Sequence, residues 1–105
     1  MTRSHYRRQL LRLYRLLPDT PHRFHHGDRV IVDQLFDQDL PLTVLQAALL
    51  LGSARRACRD PRLPKLQPIR SLAYFLPILR ELPTTPPPDG YLDYLRHILS
   101  HASPG

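Results

Sequence analysis

Proline cuts this chain into short pieces, and leucine recurs at helical spacing inside each piece. Pro18, Pro21, Pro41, Pro61, Pro64, Pro68, Pro77 and Pro83 each lack a backbone donor and hold φ near one value. No long helix or central strand can therefore run undisturbed through them. Leucine alone supplies 21 of the 105 residues, while Val, Ile and Thr are few. Unbranched leucine keeps its rotamer freedom in a helix, whereas β-branched residues favour strands. The expected fold is all-α, a bundle of four to five helices with proline-rich connections. The length suits one domain built on one modest core.

The pieces can be read in order. Ser4 is expected to cap a first helix running to about Leu17, with Tyr6, Leu10, Leu13, Tyr14 and Leu17 on its apolar face. Arg8, Arg12 and Arg15 line another face. Pro18–Gly27 reads as loop and carries His22, His25 and His26. Asp28 is expected to cap a second helix through about Asp37, and Asp39-Leu40-Pro41 breaks it. A third helix opens at Leu42 or Thr43 and runs to about Arg59. Val44, Leu45 and Ala47–Leu51 make it apolar almost all round, the mark of a central buried helix. Arg55, Arg56 and Arg59 fall near its negative dipole end. Asp60–Pro68 is irregular. A fourth helix is expected over about Ile69–Leu82, kinked or split by Pro77. Pro83–Gly90 is a stiff extended spacer, and an amphipathic helix follows from about Tyr91 to His101. Residues 1–105 are thus expected to form a single domain. Its parts are a main bundle over 1–82, a spacer over 83–90, and a last helix over 91–102 that is either a packed lid or a partner-binding arm.

Cys58 is the only cysteine, so an intramolecular disulfide is impossible, which fits a reducing cytoplasm. It is expected to be a small buried residue near a helix end. No apolar run approaches a membrane span. The arginines scattered among the first apolar residues do not resemble a secretory leader.

Little here suggests catalysis, and no enzyme activity and no cofactor are expected. Glu81 is the only glutamate, and Ser4, Ser53, Ser71, Ser100 and Ser103 lack a nucleophile-elbow context. Gly27, Gly52, Gly90 and Gly105 are isolated, so there is no phosphate-cradling loop. His22, His25 and His26 near Asp28 lack the Cys pair or the His-Glu-x-x-His helix of a zinc site, and no metal is expected. Ile31–Arg56 has the lengths of a helix-turn-helix. Its second helix, however, shows leucine and alanine where base readout needs polar side chains.

Charge is the informative feature. The formal net charge is +6, and arginine outnumbers lysine 14 to 1. Such a surplus fits a polyanionic partner or an acidic protein surface, although a GC-rich genome also enriches arginine. Two clusters stand out: Arg7, Arg8, Arg12 and Arg15 on one element; Arg55, Arg56 and Arg59, then Arg62 and Lys65, on another. Brought onto one face, they would form a phosphate-binding stripe with strong salt dependence and little sequence preference. Among Tyr74, Phe75, Tyr91 and Tyr94, Tyr74 is the better candidate to contact a base or a partner. The bland alternative is core aromatics beneath a solubilising cationic surface.

One resemblance adds to this. Leu35-Phe36-Asp37-Gln38-Asp39-Leu40-Pro41-Leu42 forms a turn between helices, and the apolar helix Val44–Ala54 follows. Tyr74-Phe75-Leu76-Pro77-Ile78-Leu79-Arg80-Glu81-Leu82 looks like a Tyr-x-x-x-Ile-x-x-x-Trp signature, with Leu82 in the place of Trp. Residues Ile31 to Leu82 thereby resemble the DnaD-like domain of replication-initiation and phage replisome-organiser proteins. The resemblance implies DNA binding and help in loading a helicase for a plasmid, phage or mobile element, with a helicase or replication initiator as protein partner. The competing expectation is a small helical protein–protein adaptor with a basic surface.

Overall fold

A computed structural model describes residues 1–102; Ser103 and Gly105, weighed above, lie outside the described residues. The fold is all-α, with five α-helices and one 3₁₀ turn, and no strand among the described residues.

Helix α1 spans Arg3–Leu16. Its cap is Thr2 rather than Ser4: extended Thr2 accepts the amide of His5 on its hydroxyl at 3.1 Å. Ser4 falls inside the first turn. The helix stops at Leu17, whose extended backbone (φ −81°, ψ 141°) is the conformation that a following proline imposes.

Helix α2 spans His26–Asp37 and begins three residues earlier than Asp28 would dictate as a cap. His25 is the cap. Its Nδ1 accepts the Asp28 amide at 3.3 Å, and the Asp28 carboxylate accepts the His25 amide at 3.1 Å. This is a capping box with Asp28 at its third position. The Asp28 carboxylate is also wholly buried and accepts the Leu72 amide at 2.9 Å, which ties the start of α2 to a segment 44 residues away.

Helix α3 spans Leu42–Ala57 and is the centre of the bundle. Val44, Leu45, Ala47, Ala48, Leu49, Leu50, Gly52, Ser53 and Ala54 are all buried. Its last turn runs out of the bundle, so Ala57, Cys58 and Arg59 are exposed. Cys58 is therefore an exposed thiol, contrary to the expectation of burial.

The region expected as a fourth helix is divided. A 3₁₀ turn over Leu72–Phe75 leads into the short α4, Leu76–Arg80. Pro77 stands in the first turn of α4, where its missing amide would have had no helical partner. Ile69–Ser71 is not helical at all: the Ile69 amide donates to Asp19 O at 2.8 Å. Tyr74, Ile78 and Leu82 consequently do not share one continuous helix.

Helix α5 spans Tyr91–His101, preceded by Gly90 at φ +84°, a left-handed conformation suited to glycine. It packs along α3 and buries Leu95 there. Helices α1 and α2 form an antiparallel pair, because Arg3 at the start of α1 meets Asp37 at the end of α2. Helix α3 touches both α1 and α5, which do not touch each other. One core joins Tyr6, Leu10, Tyr14 and Leu17 to Val32, Leu45, Leu49, Leu50, Leu72, Phe75 and Leu95.

Candidate nucleic-acid interface

Each arginine marked by the sequence has a definite environment, and the environments differ. Arg7 turns toward α2 and donates to the Asp33 carboxylate at 2.7 Å. Beside it, Arg3 donates to Asp37 at 2.6 Å and approaches Asp33 at 3.7 Å. The hydrogen bond from Arg7 holds the Asp33 carboxyl below its ordinary range. Arg7 is thus part of the α1–α2 seam.

Arg55 forks onto Glu81 at the end of α4, with its two terminal nitrogens at 2.9 and 3.0 Å from the two carboxylate oxygens. This two-point geometry matches guanidinium to carboxylate, and it holds Glu81 below its ordinary range.

Arg56 lies deeper, its side chain only 10% exposed. Its guanidinium sits 5.3 Å from the Tyr74 ring centroid and donates to Gln67 O at 2.9 Å. Longer contacts of 3.4 Å reach the Tyr74 hydroxyl and the Asp19 carboxylate. Arg56 is therefore a pin that closes the 61–70 connection and the 3₁₀ turn onto the end of α3. Arg59 extends the same clasp by donating to Pro64 O at 3.3 Å.

Tyr74 is 39% exposed, but one ring face meets Arg56 and its edge packs at 5.1 Å on Phe75. Of the other expected rings, Phe75 is buried and Tyr91 half-buried, while Tyr94 on α5 is exposed.

Arg8, Arg12 and Arg15 differ from the rest. All three are exposed, at successive turns of one α1 face, with no ion pair and no side-chain hydrogen bond among the described residues. Helix α1 contains no acidic residue. Arg15, in the last turn, also complements the negative end of the helix dipole. Leu16 continues this surface and is 77% exposed, the most exposed large apolar side chain in the protein's described residues.

The two expected clusters approach only at their ends. Asp19, just beyond α1, meets Arg56 in the last turn of α3. They do not merge into one field of free cations, because Asp33, Glu81 and Asp19 engage Arg7, Arg55 and Arg56. Sequence reading missed these partners. They lie 26, 26 and 37 residues from their arginines, and no local spacing marks them.

Other chemistry finds little support. Among the described residues, no group of three or more His, Cys, Asp or Glu side chains is placed to hold a metal ion. Two open hollows lie beside Pro87, Pro88 and Asp93, and beside Tyr6, Phe36 and Leu40; neither is lined by a histidine. No helix among the described residues is long and apolar enough to cross a membrane. Comparison with family models, curated proteins and solved structures finds no match.

Proposed function

We propose that the protein is a non-enzymatic, cytoplasmic DNA-binding accessory factor, and that its contact surface is the outer face of α1. The observation that carries this is the row Arg8, Arg12 and Arg15: exposed, unpaired and free of neighbouring acid on its own helix. Such a row presents guanidinium forks to phosphates at no cost in broken ion pairs. Arg7, Arg55 and Arg56 act behind it as parts of the scaffold, and Arg59 clasps the connection. Replication initiation or helicase loading for a plasmid, phage or mobile element is the process the DnaD-like resemblance suggests.

The test is fluorescence anisotropy of labelled DNA across a salt series. Three phosphate contacts give a slope of log affinity against log salt near −2.7, so binding falls roughly 40-fold between about 50 and 200 mM salt. Replacing Arg8, Arg12 and Arg15 together by alanine removes most of that binding while helicity stays unchanged. No binding at about 50 mM salt would remove the proposal. Arg56 is a poor choice for this test, because its burial makes substitution a folding defect.

A specific observation favours the adaptor as the second reading. Leu16, Leu63 and Leu66 are exposed, the last two beside Lys65 on the connection after α3. On that reading, Leu16→Asp or Leu66→Asp abolishes capture of a protein partner, and the arginine triple substitution leaves DNA binding unaltered because there is none. The expected pairing of α5 with another chain has less behind it, since its apolar face packs on α3.

A further inference from the structure

We infer that the α1 surface takes duplex DNA along its phosphate backbone, rather than a single strand held by base stacking. The inference rests on the DNA-binding reading above and names the form of the ligand.

The argument starts from where the exposed rings are. Sequence-tolerant single-strand binding interleaves cations with aromatic faces, on which successive unpaired bases stack. The tyrosines of α1 are both buried: the Tyr6 hydroxyl donates to Leu40 O at 3.0 Å, and Tyr14 packs at 5.2 Å on Phe24. The exposed rings lie elsewhere. Tyr74 has one face against Arg56 and an edge against Phe75. Tyr94, 59% exposed, belongs to α5, which does not touch α1; α3 touches both. Free cations and free rings are therefore segregated. A strand crossing Arg8, Arg12 and Arg15 would give up its base stacking with no exposed tyrosine or phenylalanine on that helix to replace it, only the imidazole of His5 near its start.

The second point is spacing on a rigid support. With a rise of 1.5 Å per residue, Arg8 and Arg15 stand about 10 Å apart along α1, with Arg12 about 6 Å from the first. Phosphates on one strand of a duplex advance by about 3.4 Å each along the axis. Successive arginines thus step over one or two phosphates, and long flexible side chains absorb the difference. The helix is pre-set on both neighbours, by Arg3 and Arg7 to α2 and by Tyr6 to the turn ahead of α3. A duplex backbone is similarly pre-set, so little ordering entropy is lost when the two meet. A flexible single strand would have to be ordered on contact.

The third point concerns the limits of the stripe. On the α2 side, Asp33 and Asp37 are already neutralised by Arg7 and Arg3, and Arg29, one turn before Asp33, is the exposed cation of that stripe without a carboxylate. The α1 row itself is narrow, suited to one backbone. Guanidinium contacts to phosphate carry no base information, so binding at this row is indifferent to sequence.

The experiment compares a labelled duplex of about 20 base pairs with its isolated single strand, using the full chain at about 50 mM salt. The duplex is expected to bind at least about fivefold tighter, in keeping with its denser charge. The Arg8→Ala, Arg12→Ala, Arg15→Ala variant should lose most duplex affinity with its circular dichroism unchanged, and Tyr94→Ala should lose none. Single-strand binding equal to or tighter than duplex binding, weakened by Tyr94→Ala, overturns the duplex inference and leaves DNA binding standing. Full duplex affinity in the triple arginine variant overturns the assignment to α1. Absence of binding to both forms removes the DNA-binding reading itself.

Discussion

Asp28 is the residue whose loss should cost the fold most for the fewest atoms. Its carboxylate has no exposed surface and accepts two backbone amides, from His25 at 3.1 Å and from Leu72 at 2.9 Å. The first closes the capping box of α2. The second anchors the 3₁₀ turn that carries Phe75 into the core and Tyr74 onto Arg56. In Asp28→Ala both amides lose their acceptor. A buried amide left without a partner costs about 1–3 kcal/mol; the Leu72 amide is buried and the His25 amide partly so, while the His25 side-chain cap on the amide of position 28 survives the substitution. Relief from burying the carboxylate works the other way. It cannot cancel the loss, because the orphaned Leu72 amide remains buried when the charge has gone. The expected net cost is roughly 2–4 kcal/mol, against a total stability of about 5–15 kcal/mol. At about 4–8 °C per kcal/mol for a domain of this size, the melting temperature should fall by at least about 8 °C. Asp28→Asn keeps the shape and one acceptor oxygen and should fall in between. Thermal and urea denaturation followed by circular dichroism measure both variants, and amide exchange at Leu72 should speed up first. An alanine variant within about 0.5 kcal/mol of the parent would refute the accounting of these two amides.

Three other outcomes follow from the structure. Gly52→Ala should destabilise by about 1 kcal/mol in urea denaturation despite a better helix propensity, because overpacking wins; the new Cβ would stand 2.6 Å from Ile78 Cδ1 and 2.9 Å from the Phe75 ring. Burial pushes the Tyr6 hydroxyl up to about 12, and burial followed by the Asp28 charge does the same for Tyr14. The protonated form is therefore favoured in the fold: full stability holds below about pH 10 and is lost as pH rises toward 12, by up to about 1.4 kcal/mol per pH unit for each ring, read by denaturation at successive pH values. Arg7→Ala should raise the Asp33 carboxyl toward its ordinary range in an NMR titration, whereas Arg8→Ala leaves it in place; the stability Asp33 confers is present above the ordinary carboxylate range and lost as pH falls.

How much of this was legible in the sequence depended on whether the signal was local. The apolar run Val44–Leu51 can satisfy itself only at the centre of a bundle, and α3 is there. A break at Pro77 was likewise expected, and the chain divides into a 3₁₀ turn and α4 at that point. The bounds of α5 also follow from its pattern of Tyr91, Leu92, Leu95, Ile98 and Leu99. The caps were harder. Ser4 and Asp28 have good capping chemistry, but Thr2 and His25 hold the cap positions. Asp28 was needed one turn further in, for a bond to Leu72 that no spacing announces. Cys58 was expected inside by residue type, yet the turn carrying it leaves the bundle. The candidate surface was half legible. A helical wheel separates Arg8, Arg12 and Arg15 from the core face of α1. It cannot show that Arg55 finds Glu81 or that Arg56 lies beneath Tyr74, because those contacts exist only once α3 and the segment after it have packed.

The position of the surplus charge therefore matters more than its size. Six arginines, Arg3, Arg7, Arg55, Arg56, Arg62 and Arg96, are paired with carboxylates among the described residues. The cations left without a carboxylate include Arg23, Arg29, Lys65, Arg70 and Arg80, which fall on loops, on α2 and on α4. Single exposed charges are screened within about 10 Å at moderate salt, and no one of these short segments sets three cations on successive turns of a helix. Arg8, Arg12 and Arg15 lie within one such length of each other along a single rigid helix, so their potentials add where a phosphate would approach. A protein with the same net charge but with those three residues dispersed would be equally basic and would lack the summed potential on which the proposed DNA contact rests. Moving one of them, for example by pairing Arg12→Ala with Gln38→Arg, keeps the net charge constant and isolates this effect. Affinity that followed total charge and ignored the move would remove α1 as the binding element.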